Sequence, residues 1–428
     1  MKIPEVYLIE VEHRPGNLAR VLQVVGNEGL TIEGLQIIER TQQRTTWELT
    51  LEFDEQANDN LFDGINALPI AHVIGRSDRV MNRHHGGKIH IVPKKPVGSW
   101  QALRDIYTPG VARVCLAIQE APGMARQYTN IHSAVAIVTD GTAILGLGDI
   151  GALAGMPVME GKSALFAQLA DISGVPILLE PSTPDQIVET VQRISPGFGA
   201  IQLEDIAAPA CFEIEERLRD ALDIPVLHDD QHGTAVVTLA ALCSATRLVG
   251  VSLKDSVVGH IGLGAAGIGI TRLLIKYGVK QMLGSDLSEE ALQRFESKGG
   301  ERASLEDLMK TCDIVVATTG VRGLIKPEMV RQGQMILALT NPDPEIEPAE
   351  ALKHGARFAA DGKNVNNVLA FPGLFRGALD ANAACFTDAM LIAAAERLSE
   401  LACGEHLIPD ALDRSVHDAV AKAVAEAA

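Results

Sequence analysis

The chain has 428 residues, 47% hydrophobic and 21% charged, with a formal net charge of −18. That length fits two to three domains of roughly 100–200 residues each, and the apolar share supports a large core rather than disorder. The acidic balance argues against nucleic acid or an anionic membrane as the main partner, since both need basic patches, but a small anionic substrate needs only a few local cations. No apolar run approaches the roughly 18 residues of a membrane span. The opening MKIPEVYLIEVEHRPG alternates and carries early acids, unlike a signal peptide. Six cysteines (Cys115, Cys211, Cys243, Cys312, Cys385 and Cys403) form no CxxC pair, so they read as reduced thiols in the cytoplasm, without a structural zinc.

Residues 5–80 alternate short strand and helix patterns. VYLIEVEH reads as a strand, and RPGNLARVLQVVGNEG as a turn entering a helix that ends at Gly29. LTIEGLQIIER and RTTWELTLEF form two strands around the polar tip 41–43. ANDNLFDGINAL is a second helix, and IAHVIGRSDRV a last strand. The order βαββαβ is ferredoxin-like. Residues 83–98, rich in His, Gly, Pro and Lys, read as a linker.

Residues 99–247 alternate apolar strands (VAIVT, VPILLE, AIQLE, IPVLH) with helices, the pattern of a parallel α/β domain. A second α/β unit starts at 248 with SVVGHIGLGAAG and continues through DIVVATT and QMILALT. The Ala-rich tail 376–428 reads as helices closing it. The expected division is therefore 1–82, 83–247 and 248–428.

GLGAAG at 262–267 fits G-x-G-x-x-G. It follows the apolar strand 257–261, opens an apolar helix at 268–277, and precedes a strand ending at Asp286, 19 residues beyond Gly267. Gly262 makes the tight turn, Gly264 admits a pyrophosphate, and Gly267 lets helix and strand pack closely. The helix N-terminus, with the backbone of Ala265 and Ala266, supplies positive potential. Asp286 is placed to bond a ribose 2′-hydroxyl and would repel a 2′-phosphate, which favours NAD over NADP.

AIQLEDI puts Glu204 and Asp205 where one strand stops, and IPVLHDDQHG puts Asp229 and Asp230 where the next stops, with Gly233 opening a helix. Parallel strands deliver their carboxyl ends to one edge, where ligands bind. Helix capping accounts for one acid of each pair, not both. An oxygen-only set selects a hard cation, Mg²⁺ or Mn²⁺. The segment VTDGTAILGLGDIGALAGMPVMEGKSALF carries two strands, a glycine-rich connection and Lys162 at a helix start. There the helix dipole lowers the lysine pKa and the nearby acids raise it. Such a lysine can act as a base. Its GKS tripeptide lacks the spacing of a phosphate loop. Tyr107, before a Thr-Pro-Gly turn, would not be chosen on its own.

YTPGVA, VTDGTAILGLGDIG, MEGK, LEDI, HDDQHGT, GLGAAG, TNPDPE and NNVLAFPG occur in that order from about residue 99 onward. In this the chain resembles the short bacterial type of malic enzyme. The resemblance implies oxidative decarboxylation of malate to pyruvate and CO₂ with reduction of NAD or NADP. It makes Tyr107 the general acid, Lys162 the general base, and Glu204, Asp205 and Asp230 the ligands of Mn²⁺ or Mg²⁺. Asp229 would tune and orient the lysine, while Asn341 and Asn367 would bond the substrate near the nicotinamide. Larger family members carry an arginine for a substrate carboxylate where this chain has Ala143. Backbone amides around Thr108–Gly110 are the substitute expected here.

HRPGNLARV resembles the strand-turn-helix of ACT domains, with Gly16 at the effector-contact turn. That resemblance implies control by a small metabolite, often an amino acid, and pairing between subunits of a homo-oligomer. Two other readings share the scaffold: a malolactic-type or oxaloacetate decarboxylase, and a metabolite-sensing protein without activity.

Overall fold

The computed structural model describes residues 3–53, 59–77, 79–144, 146–180, 182–341, 343–363, 365–404 and 406–428. Leu145 and Pro342, inside two of the quoted motifs, lie outside them. The chain forms two compact units, 1–90 and 91–428.

In the first unit, β1 (Ile3–Glu12), α1 (Asn17–Asn27), β2 (Thr31–Arg40), β3 (Arg44–Phe53), α2 (Asp59–Asn66) and β4 (Ala71–Ser77) follow the expected order. The sheet runs β2-β3-β1-β4 with every pair antiparallel, which is ferredoxin-like topology. Period-two alternation turns Tyr7, Ile9 and Val11 of β1 inward. Val21 and Val25 of α1, and Leu61 and Ile65 of α2, are spaced one helical turn apart and close that core. A short α3 (Arg79–His84) follows, entering the stretch expected to be linker.

The second unit opens with three helices, α4 (Trp100–Ile106), α5 (Val111–Glu120) and α6 (Met124–Tyr128), none of which contains a buried residue. Then come β5 (Ala134–Thr139), α7 (Ala152–Ala170), β6 (Ser173–Leu178), α8 (Pro184–Ile194), β7 (Ala200–Leu203), α9 (Ala210–Ala221), β8 (Val226–His228) and α10 (Asp229–Val249). The strands form a parallel sheet in the order β6-β5-β7-β8.

Three local expectations are corrected here. The second strand expected in the 138–166 segment is only an isolated bridge, Ile144 to Gly148. Lys162 is not at a helix start, because α7 begins at Ala152 and runs through Pro157. Buried Gly155, Met159, Lys162 and Phe166 recur at helical spacing, and that packing overrides the glycines and proline that read as a loop. Likewise α10 starts at Asp229 rather than at Gly233, so both aspartates sit in its first turn. Acids there complement the helix dipole.

A second parallel sheet follows: β9 (Val257–Ile261), α11 (Ala265–Tyr277), β10 (Gln281–Ser285), α12 (Glu289–Ser297), β11 (Glu301–Arg302), α13 (Leu305–Thr311), β12 (Ile314–Ala317), β13 (Met335–Ala338), α14 (Pro348–Lys353) and β14 (Phe358–Asp361). Its order is β11-β10-β9-β12-β13-β14, the doubly wound dinucleotide-binding order. The closing helices α15 (Phe371–Asp380), α16 (Asp388–Leu401) and α17 (Arg414–Glu426) pack on α7 and α10 as well as on one another. One apolar cluster therefore spans both sheets, with Phe166 edge-on to Phe371 and Phe375 at 5.0 and 5.4 Å. Among the described helices, α10 alone has the length and hydropathy of a membrane span, although no run so apolar was expected; it is the central core helix, with 72% of the apolar window buried.

Candidate active site

The carboxyl ends of β7 and β8 deliver Glu204, Asp205, Asp229 and Asp230 to one edge. One oxygen each from Glu204, Asp205 and Asp230 lie within 4.8 Å of one another. Asp205 occupies the left-handed region at φ 53°, which Asp tolerates better than most residues and which recurs at functional sites. Its backbone N–H donates to Asp230 Oδ2 at 3.1 Å, and its carbonyl accepts from Ala143 N–H at 3.0 Å. The TDG turn is locked beside it. Thr142 donates from its N–H and hydroxyl to Asp140 Oδ1, and its Oγ1 accepts from Ala207 N–H at 2.9 Å.

Lys162 reaches this edge from the middle of α7. Its Nζ lies 3.0 Å from Glu204 Oε1, donates a short hydrogen bond to Asp229 Oδ2, and sits 4.3 Å from the centre of the Phe371 ring. Asp229 also accepts from Asn367 Nδ2 at 2.7 Å. Gly233 makes the fit possible, since a Cβ there would stand 2.0 Å from Asp229 Oδ1. Gln202 Nε2 bonds the other oxygen of Glu204 at 2.6 Å.

The electrostatics follow from four carboxylates facing one ammonium. Burial pulls the Lys162 pKa down, but Asp229, Glu204 and Asp230 outweigh it and hold the group above the ordinary lysine range. The helix-dipole lowering expected for this lysine does not arise, because the helix starts ten residues earlier. Burial raises Glu204 and Asp229, and in each the neighbouring acids add to the rise while Lys162 opposes it. Surplus negative charge on three converging, oxygen-only ligands fits a divalent cation and not a soft one.

On the second sheet, Gly262 has φ 90°, and a Cβ on it would meet Thr318 O at 2.7 Å. A Cβ on Gly267 would stand 2.0 Å from Gly262 O, whereas Gly264 faces open space. Helix α11 opens at Ala265, so Ala265 and Ala266 form the first turn, where unpaired N–H groups favour phosphate. Asp286 follows β10 and accepts from Leu263 N–H at 2.6 Å and Ser288 N–H at 2.8 Å. It thus ties the end of β10 to the glycine turn.

Other sequence-named positions are exposed or have their polar groups engaged locally. Tyr107 caps α4 and is 67% exposed. Asn341 donates its amide to Gly362 O at 3.0 Å. Of the amides expected to form the anion grip at Thr108–Gly110, Gly110 N–H is taken by Arg104 O at 2.8 Å and Pro109 has no N–H. Gly16 has φ 84° at the start of α1, in the first unit. Gln202, Phe371 and Glu215 were not singled out from sequence. Gln202 and Phe371 lie inside segments that were read for other residues, whereas Glu215 looks like an ordinary helix acid.

Residues 86–219 match the family described as "Malic enzyme, N-terminal domain", and residues 231–299 match "Malic enzyme, NAD binding domain". NAD-dependent malic enzyme 1 of Bacillus subtilis is 53% identical over 98% of this chain and 97% of its own. The chain belongs to the malic enzyme family. A bifunctional malic/malolactic enzyme of the same organism is 41% identical over 81% of this chain and 91% of its own. The crystal structure of an NAD-dependent malic enzyme from Thermotoga maritima aligns with a TM-score of 0.77 and 36% identity, covering 82% of this chain and all of that one. Within the malic enzyme fold, the acid edge and the glycine turn both lie at carboxyl ends of parallel strands, where open α/β sheets bind ligands.

Proposed function

We propose that the chain oxidises and decarboxylates malate to pyruvate and CO₂ with reduction of NAD, and that Lys162 is its base. The observation that carries this reading is a buried lysine held by Asp229 and Glu204 beside three converging carboxylates. Glu204, Asp205 and Asp230 would hold Mn²⁺ or Mg²⁺. A divalent cation held there would supply a Lewis acid for the C2 oxygen of the substrate and would offset the acids that keep Lys162 protonated. Gly262, Gly264, Ala265, Ala266, Gly267 and Asp286, with Asn341 nearby, would hold NAD, which would supply the hydride acceptor for C2.

Lys162 takes the proton of the 2-hydroxyl. Asp229 aims the ammonium group and stabilises it once charged, and Asn367 fixes Asp229 in turn. Tyr107 returns a proton to C3 after CO₂ leaves. A proton donor works best shielded from bulk water, so this role rests on the exposed face around it being covered. That face also exposes Trp100, Ile106, Leu116 and Tyr128, a set suited to contact between copies in a homo-oligomer.

The first unit is proposed as an ACT-type regulatory domain. Gly16 opens α1 beside a cavity of about 250 Å³ lined by Val11, His13, Arg14, Pro15, Thr45 and Trp47, sized for an amino acid. Edge strand β2 exposes Leu35, Ile37 and Ile38, a surface for pairing between such units. The proposed division remains regulatory domain 1–82, substrate domain 83–247 and dinucleotide domain 248–428.

The likeness to a bifunctional malic/malolactic enzyme favours one second reading, lactate formation without net NADH. A steady-state assay with malate, Mn²⁺ and either NAD or NADP separates the two. Stoichiometric NADH and pyruvate, faster with NAD, are expected. Lactate without NADH overturns the first reading, and the same assay with a panel of amino acids tests the effector site.

A further inference from the structure

Glu215 lies on α9, outside the acid cluster, and the proposed chemistry does not use it. It is 5% exposed, and both of its oxygens are engaged. Oε1 accepts the backbone N–H of His228 at 2.9 Å, and Oε2 accepts Gln231 Nε2 at 3.2 Å. His232 Nε2 stands 2.9 and 3.0 Å from the two oxygens. All three donors come from 228–232, the segment that carries Asp229 and Asp230.

The N-terminus of α10 explains why such a clamp is needed. His228 is its N-cap residue and provides no side-chain cap. The first aspartate turns toward Lys162, and the second toward Asp205. The position whose side chain usually reaches back to the N-cap N–H, three residues on, is Gln231, and its amide is bonded to Glu215. Glu215 makes the bond to the N-cap N–H from the neighbouring helix. Stability alone is a weak reason for such a group, because a buried ion pair replaced by apolar side chains of similar volume is often neutral or more stable.

We infer that Glu215 is a positioning residue: bonded to His228, Gln231 and His232, it fixes the first turn of α10 so that Asp229 meets Lys162 while Asp230 meets Glu204 and Asp205. The inference rests on the reading of Glu204, Asp205 and Asp230 as cation ligands. Outer groups that orient metal ligands typically contribute about 10–100-fold to metal affinity or activity.

The test is the Mn²⁺ dissociation constant of the full chain, read from the electron paramagnetic resonance of free Mn²⁺, with NAD affinity as a control on the second sheet. Glu215→Gln keeps the shape but leaves three donors facing one acceptor oxygen and an added NH₂ group. It is expected to weaken Mn²⁺ binding at least tenfold while NAD affinity stays within twofold. His232→Gln, which keeps an N–H donor, is expected to bind Mn²⁺ within about threefold of the native chain, and His232→Leu more weakly. These two variants carry the test if Glu215→Gln does not fold. A folded Glu215→Gln chain with native Mn²⁺ affinity overturns the inference, as does His232→Leu with native affinity. A native chain that binds no Mn²⁺ overturns the cation-site reading itself.

Discussion

Lys162 and Tyr107 are the proposed base and acid of one reaction, yet the fold treats them in opposite ways. Lys162 sits on the buried face of a helix, fixed by Asp229, Glu204 and the Phe371 ring. Tyr107 ends a helix that contains no buried residue, on a face of exposed apolar side chains. The base is thus pre-organised by the chain's own core, where low dielectric strengthens each contact. The acid depends on whatever covers its surface. Substitutions at the two positions should separate chemistry from stability.

The largest effect is expected at the base. Lys162→Ala should lower kcat by about 10²–10⁴-fold, the usual share of a general acid–base group. It should also lower the thermal midpoint, because it leaves four buried or half-buried carboxylates without their cation. Tyr107→Phe should lower kcat by a comparable factor and leave the midpoint of the isolated chain unchanged. Activity assays with parallel calorimetry check both. A Lys162→Ala chain with native kcat would remove the base assignment. A Tyr107→Phe chain with native kcat would show that the acid is another group.

A smaller effect is expected at the second sheet, where one side chain carries two loads. Asp286 accepts N–H groups from Leu263 and Ser288, so it holds the glycine turn besides facing the proposed ribose site. Asp286→Ser should reduce kcat/KM for NAD by roughly 10–100-fold, the value of one to two charge-assisted hydrogen bonds. A merely slackened turn would impair NAD and NADP alike. Loss of a ribose contact together with repulsion of a 2′-phosphate should narrow the NAD/NADP ratio instead. An unchanged ratio would show that Asp286 serves the turn only.

The same contrast between buried order and local pattern explains what could be read from sequence. The two parallel sheets and the antiparallel one were legible because strand runs such as VAIVT and SVVGHI carry their own periodicity and the glycine turn has a fixed strand–turn–helix context. The acids were legible because strand ends collect at one edge. The start of α7 was not, since Gly155 and Pro157 read as breakers and only tertiary packing of Met159, Lys162 and Phe166 makes them helical. That ten-residue displacement removes the expected lowering by the dipole and leaves the expected raising by the nearby acids. Glu215 was not legible either. Its significance lies in three donors from the distant segment 228–232, and EIEER by itself describes a solvated face.

The smallest expected effect concerns pH and His260, which is fully buried on β9 behind the glycine turn. Burial pushes its pKa down to about 4, against the opposing influence of Glu345, the Gly262 backbone and Asp286. The unfolded chain exposes the same imidazole at its ordinary value of 6.5. Between these values the unfolded state binds the proton and the native state does not, so stability rises with pH in that window. It is unaffected by His260 above pH 6.5, declines as pH falls, and has lost the whole contribution below about pH 4. At pH 5 the loss amounts to about 2 kcal/mol, at 1.36 kcal/mol per pKa unit. Glu215, held at about 2 by His232 and the His228 N–H against the rise that burial favours, adds its own loss only below pH 4.5. The two windows are therefore separable. Urea unfolding followed by circular dichroism at pH 7 and pH 5 should show His260→Leu losing about 2 kcal/mol less between them than the native chain does. An equal loss in both chains would mean that His260 takes up its proton within the fold, and that the strand behind the dinucleotide turn is more open to water than its packing implies.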